Sequence, residues 1–218
     1  MRIHVVRGSS VEEIDLTPSK VVCVGTNYRA HAVEMGKAIP EEPVLFLKPP
    51  SAIIGHGEAI ERPLEFAQVH HEGELGVVIG TRCKNLSADS AMDVVMGFTC
   101  VNDVSVRELQ KKDGQWLRAK GFDTFCPIGP RIVAGLDPTN LRLVTRVNGV
   151  VKQDSSTADM VFGVRELLVF ITRYMTLEVG DVISTGTPSG VGPFAVGDTV
   201  EIDIEGIGTL SNPVVARA

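Results

Sequence analysis

The feature that most constrains this chain is the shortness of its apolar stretches. VVCVG (21–25), VLFLK (44–48), LGVVIG (75–80) and GFTCV (97–101) each stop at a glycine, a proline or a polar residue within a few positions. Runs of that length fit buried strands better than helices. Twenty-two glycines and 12 prolines are spread along the 218 residues and supply the turns between them. LRLVTRVNGVVKQD reads as a hairpin, because Asn148-Gly149 suits a tight turn between alternating runs. DVISTGTP and TVEIDIEG read as late strands. Helical patterns are fewer. GVRELLVFITRYM puts Val164, Leu167, Leu168 and Ile171 on one face. Ser87 can cap a helix over 88–95, SVRELQKK reads as a short polar helix, and NYRAHAVEMG (27–36) as a short helical or lid-like segment. The expected fold class is therefore α+β and β-rich, a folded sheet or roll covered by a few helices. Residues 1–20 read as a short N-terminal strand and loop, and residues 21–218 as the main domain, with no repeat or low-complexity linker.

Charge and composition narrow the function classes. A formal net charge of -6 and no basic run longer than Lys111-Lys112 argue against a nucleic-acid surface. No apolar run is long enough to span a bilayer, and MRIHVVRGSS lacks the apolar core of a signal peptide. A cytoplasmic location is the expectation. Cys23, Cys83, Cys100 and Cys126 are far apart and form no paired motif, which fits reduced buried thiols.

One strand looks anomalous. In HHEGELGVVIG (70–80) the apolar run from Leu75 is preceded by Glu72 and Glu74, which share a face of an extended chain. Two carboxylates on one buried face repel each other, and a divalent cation relieves both the repulsion and the burial. Asp103, at the end of GFTCV, is the natural third ligand if the two strands are neighbours. A solvated edge strand accounts better for the pair alone. His70 shares the glutamate face, and a ligand set including it would favour a transition metal. Hydrogen bonding or packing is the expected role for His70 and His71.

Other polar residues fall at suggestive spacings. His31 and Glu34 are three apart, as in a carboxylate-oriented imidazole, although an exposed surface pair fits that spacing better. Asp103, Arg107 and Gln110 would share one side of a helix over 104–111. Lys120 follows Trp116 in GQWLRAKGFDTF, and Arg118 is either a neighbouring contact or surface. Gly186 and Pro188 shape a tight turn around Thr187 whose N–H groups would suit a carboxylate.

Taken in order, VHHEGELGVVIG, NDVSVRELQ, KGFDTFCPIGP, QDSSTADMVF and STGTPSGVGP resemble the fumarylacetoacetate hydrolase family from about residue 20 onward. The resemblance implies a β-rich roll of mixed sheets, a homodimer, and Mg2+ (or Mn2+) held by Glu72, Glu74 and Asp103, which demotes His70. It implies His31 as general base with Glu34 as its orienter, Lys120 as the group that stabilises an enolate oxygen, and Arg107, Gln110 and Thr187 as substrate contacts. It places Gln153 and Asp154 in a loop near the active site, with no role assigned. The substrate expected is a small 2-oxo acid. Because His31 and Glu34 are both present, hydrolysis of a C–C bond in a 2,4-dioxo acid, as in an acylpyruvase, is the first expectation. Isomerisation, tautomerisation or decarboxylation of 2-oxo or 2-hydroxy-diene dicarboxylic acids, including oxaloacetate and intermediates of aromatic catabolism, is the alternative. A non-catalytic scaffold would be expected to have lost the carboxylates or the base.

Overall fold

The computed structural model describes residues 1–217 and consists mostly of strands. They are β1 (Arg2–Arg7), β2 (Ser10–Asp15), β3 (Val21–Gly25), β4 (Val44–Lys48), β5 (Ile53–Ile54), β6 (Ile60–Arg62), β7 (Val69–His71), β8 (Gly73–Ile79) and β9 (Val95–Asn102). The remainder are β10 (Ser105–Val106), β11 (Cys126–Val133), β12 (Arg142–Val147), β13 (Val150–Ser156), β14 (Val182–Ser184), β15 (Gly192–Pro193), β16 (Thr199–Ile204) and β17 (Gly208–Ala216). Helices α1 (Arg29–Glu34), α2 (Arg107–Lys112), α3 (Leu117–Lys120) and α4 (Val164–Tyr174) are short.

The strands form mixed sheets, so the β-rich α+β class holds. The largest runs β2-β1-β11-β9-β8-β14-β3-β4, with β5 beside β11. A five-stranded sheet runs β13-β12-β16-β17-β6, and β10-β7-β15 forms a third. Parallel pairs β1/β11, β3/β14 and β6/β17 sit among antiparallel ones. Residues 1–15 add a hairpin whose first strand joins the large sheet beside β11.

Period-two alternation places the core. Leu75, Val77 and Ile79 of β8, with Val22 and Val24 of β3, face Leu143, Ile202 and Ile204 of the second sheet and the α4 stripe Val164, Leu167, Leu168 and Ile171. Val78, Val21 and Cys23 point to the opposite face, against Ile3, Ile128 and Ile132. Asn148 and Gly149 both have positive φ, +51° and +76°, as the hairpin turn requires. The four cysteines are buried and unpaired. Among the described residues no helix is long and apolar enough to cross a membrane.

Three local expectations differ. The helix over 88–95 is only a short 3-10 turn, Ala91–Val94. Ser87 Oγ does accept from the Ser90 N–H at 3.3 Å, the bond expected of an N-cap, but the helix is not extended, because β9 takes the chain into the large sheet from Val95. The strand over 70–80 is split at Glu72, whose N–H donates to Asn102 Oδ1 at 3.0 Å. The helix over 104–111 begins only at Arg107, because Ser105 and Val106 pair with His70 and Val69.

Candidate active site

The split in the strand is where the carboxylates gather. Glu72 lies between β7 and β8, Glu74 one residue into β8, and Asp103 directly after β9. β8 and β9 are antiparallel neighbours with Gly73 opposite Asn102, so the start of one meets the end of the other. An oxygen from each of Glu72, Glu74 and Asp103 lies within 4.8 Å of the others, and all three side chains are buried.

Local bonding aims each of them. The Asp103 N–H donates to the Glu72 carbonyl at 2.9 Å. Glu74 Oε2 accepts from Ser184 Oγ at 2.5 Å and from the Gly186 N–H at 2.8 Å. Gly186 has φ +98°, and a Cβ there would sit 2.7 Å from Asn27 Cβ, so a side chain is excluded. The turn around Thr187 does hold a carboxylate, through the Gly186 N–H and the Ser184 hydroxyl before it, and that carboxylate is the protein's own Glu74.

Three cations balance this cluster. Arg107 Nη2 lies 2.5 Å from Glu72 Oε1, and Lys120 Nζ donates to Glu72 Oε2 at 2.9 Å and to Asp103 Oδ2 at 2.5 Å. Lys48 Nζ donates to Asp103 Oδ1 at 2.5 Å. Burial by itself raises the Glu72 carboxyl, but Lys120 and Arg107 outweigh it and hold that group well below the usual range. Burial, then Asp103 and Glu72, push Glu74 well above it. Burial opposes the charge of Lys120, yet Asp103 and Glu72 more than compensate, so its ammonium is held.

The donor set fits a hard divalent cation. It offers three carboxylates and no sulfur. Both oxygens of Glu72 and of Asp103 have cationic partners, whereas Glu74 is bonded only to neutral donors. A bound 2+ ion would supply the charge that Glu74 lacks.

The other expected residues converge on the same cleft. His31, Arg107, Gln110, Lys120 and Thr187 line it with the three carboxylates. His31 Nδ1 lies 2.9 Å from Glu34 Oε2, and Glu34 Oε1 accepts from the Gly190 N–H at 2.9 Å. An Nδ1–H donated to the carboxylate leaves Nε2 as the acceptor. Arg107 Nη1 donates to Gln110 Oε1 at 2.6 Å. Asp103, Arg107 and Gln110 thus share one cleft, but by a strand end followed by a helix, not by one helix face. Lys120 Nζ sits 4.7 Å from the centre of the Phe46 ring, which meets Trp116 edge-on at 5.2 Å. The free volume enclosed among these side chains is ≈ 20 Å³, about one water molecule.

Some candidates lie elsewhere. His70 Nε2 is 3.0 Å from Gln68 Oε1 and outside the carboxylate trio. Burial, then Arg107, lowers its pKa to about 4. His71 is buried, and its Nδ1 lies 3.3 Å from Gln153 Oε1. Arg118 pairs with Asp113 on the surface, and Asp154 with Arg142. Sequence reasoning missed Lys48, Ser184 and Lys37, the last with its Nζ 4.9 Å from the Trp116 ring centre at the cleft. A lysine closing an apolar strand was the available signal for Lys48.

Comparison with known proteins agrees with this geometry. The model of the Fumarylacetoacetate (FAA) hydrolase C-terminal family matches residues 20–215. An uncharacterised protein of Methanocaldococcus jannaschii is 55% identical over 207 residues, 95% of this chain and 87% of its own length. The oxaloacetate tautomerase YisK of Bacillus subtilis is 44% identical over 211 residues, 90% of this chain and 70% of that protein. The crystal structure of 2-hydroxyhepta-2,4-diene-1,7-dioate isomerase from Mycobacterium marinum superposes with a TM-score of 0.88 at 52% identity, covering 95% of this chain and 79% of the other. A match over nearly the whole length, with the acidic trio in one cleft, makes the conclusion direct: this chain belongs to the fumarylacetoacetate hydrolase family.

Proposed function

We propose that the protein is a divalent-metal-dependent tautomerase or isomerase of small 2-oxo dicarboxylic acids, moving a proton between carbon and oxygen. The observation that carries this reading is the charge of the cleft. Lys37, Lys48, Arg107 and Lys120 stand against Glu72, Glu74 and Asp103. Adding a divalent ion leaves an excess of three positive charges, of which a dianion offsets two and a monoanion only one. The names of the tautomerase and isomerase relatives support the same class.

Glu72, Glu74 and Asp103 would hold Mg2+ or Mn2+, which polarises a bound carbonyl as a Lewis acid. His31 Nε2 accepts the proton from the carbon next to the 2-oxo group, while Glu34 stabilises the imidazolium that results. The Lys120 ammonium faces the oxygen on which negative charge grows. Arg107 and Lys37 bind the far carboxylate, and Gln110 holds Arg107 in place. Return of the proton to carbon or to oxygen completes the exchange.

Cleavage of an acylpyruvate is the second reading, favoured by the same His31–Glu34 pair, which would then activate water. One assay separates the two. Enol–keto exchange of oxaloacetate and cleavage of an acylpyruvate are followed separately, with Mg2+ or with chelator, for the wild type and His31→Ala. We expect metal-dependent exchange that falls about 10²–10⁴-fold in the variant. Cleavage without exchange in the wild type would sink the tautomerase assignment.

A further inference from the structure

Gly73 stands between the two glutamates, and side chains from distant parts of the chain take both of its polar backbone groups. Its N–H donates to Gln153 Oε1 at 3.0 Å. Its carbonyl accepts from Thr187 Oγ at 2.9 Å. The two side chains are joined, since Gln153 Nε2 donates to Thr187 Oγ1 at 2.7 Å, and the same nitrogen donates to the Pro188 carbonyl at 2.9 Å. The third side of Gly73 is closed as well, because an added Cβ would lie 2.1 Å from Thr145 Oγ1. Gln153 and Thr187 are 1% and 3% exposed, so this ring of bonds is shielded from water.

The geometry points to Gln153 as a positioning residue that, through Gly73 and Thr187, sets the spacing of the Glu72 and Glu74 carboxylates and hence the affinity of the trio for a divalent cation. Glu72 and Glu74 leave the backbone on either side of Gly73, so a rotation of its peptide planes swings the two carboxylates relative to each other. Gln153 and Thr187 fix those planes, one through the N–H and one through the carbonyl. Mg2+ tolerates little departure from octahedral geometry, so small swings matter. Partners that orient metal-binding side chains commonly change affinity 10–100-fold when removed. Thr187, expected from the sequence to contact substrate, has its hydroxyl committed to this ring in both directions. The inference rests on the metal reading above.

Titration calorimetry with Mn2+ on purified protein tests it without reference to turnover. Gln153→Met keeps the length of the side chain and removes its hydrogen bonds. We expect its Kd for Mn2+ to rise about 10–100-fold. Thr172→Val is the control, since it removes an equally buried hydroxyl on α4, one that bonds the Leu168 carbonyl, well away from the trio. That variant should lose stability in urea and keep the wild-type Kd. Thr187→Val and Thr187→Ser probe the other end of the ring. The first should weaken Mn2+ binding and the second restore it, and this pair decides the matter if Gln153→Met does not fold. Wild-type affinity in folded Gln153→Met, or in Thr187→Val, overturns the role of the ring alone. A wild type that takes up no Mn2+ overturns the metal reading, and the inference with it.

Discussion

Replacing Lys37 by Met tests whether the cleft selects a second carboxylate. Lys37 lies just after α1, its Nζ 4.9 Å from the Trp116 ring centre, and it lines the same cleft as Arg107. Burial, then Arg107, lowers its pKa, which places it in the same electrostatic field as the other cations of the cleft. A carboxylate about 5 Å from Nζ would gain roughly 3 kcal/mol at an effective dielectric constant near 20. Lys37 is an exposed residue, so solvent screening reduces this to about 1–2 kcal/mol. That converts to a loss of about 5–30-fold in kcat/KM, carried mainly by KM. Methionine keeps the aliphatic stem against Trp116, so packing changes little. The assay compares enol–keto exchange of oxaloacetate with that of 2,4-dioxopentanoate, which lacks the second carboxylate. The loss should appear for the dianion and be nearly absent for the monoanion. Equal losses for both substrates, or none for either, would refute the charge argument.

Two further outcomes follow from the buried charges. Glu74 carries a carboxyl pushed above its ordinary range by burial and by Asp103 and Glu72. The folded chain therefore binds that proton more tightly than the unfolded chain, and the contribution of Glu74 to metal-free stability declines as pH rises through the raised value. Metal binding needs the carboxylate, so affinity should strengthen with pH and binding should release protons. Calorimetry in two buffers of different ionisation enthalpy measures this, and identical heats in both would contradict it. Lys48→Met removes the partner of Asp103 Oδ1 inside the protein and should destabilise the fold by about 3 kcal/mol, read as a lowered urea midpoint.

The parts of the molecule legible in the sequence are those set by neighbours along the chain. Glu72 and Glu74 could be paired because an extended chain repeats every two residues, and Asp103 was reachable because a strand ends where its apolar run ends. The α4 stripe and the Asn148-Gly149 turn are equally local. What could not be read depends on closures over long separations. The Gly186 N–H reaches Glu74 across 112 positions, and Gln153 reaches Gly73 across 80. Lys48 looked like the polar end of a strand, because only the packed sheet brings it to Asp103. The helix expected after Ser87 stays a short turn even though its capping bond is made, because β9 draws the chain into the sheet from Val95. The resemblance to the family named three carboxylates that the fold does bring together, while the relatives favour the isomerase and tautomerase alternative over cleavage, which was first in expectation.

Glu34 divides its two oxygens between unlike duties. One steadies the His31 ring, and the other fastens α1 to Gly190. His31 and Glu34 sit one turn apart on α1, so the helix carries the pair as a unit, and the Gly190 bond ties that unit to the loop after β14. A single carboxylate therefore sets both the tilt of the imidazole and the seat of the helix that bears it.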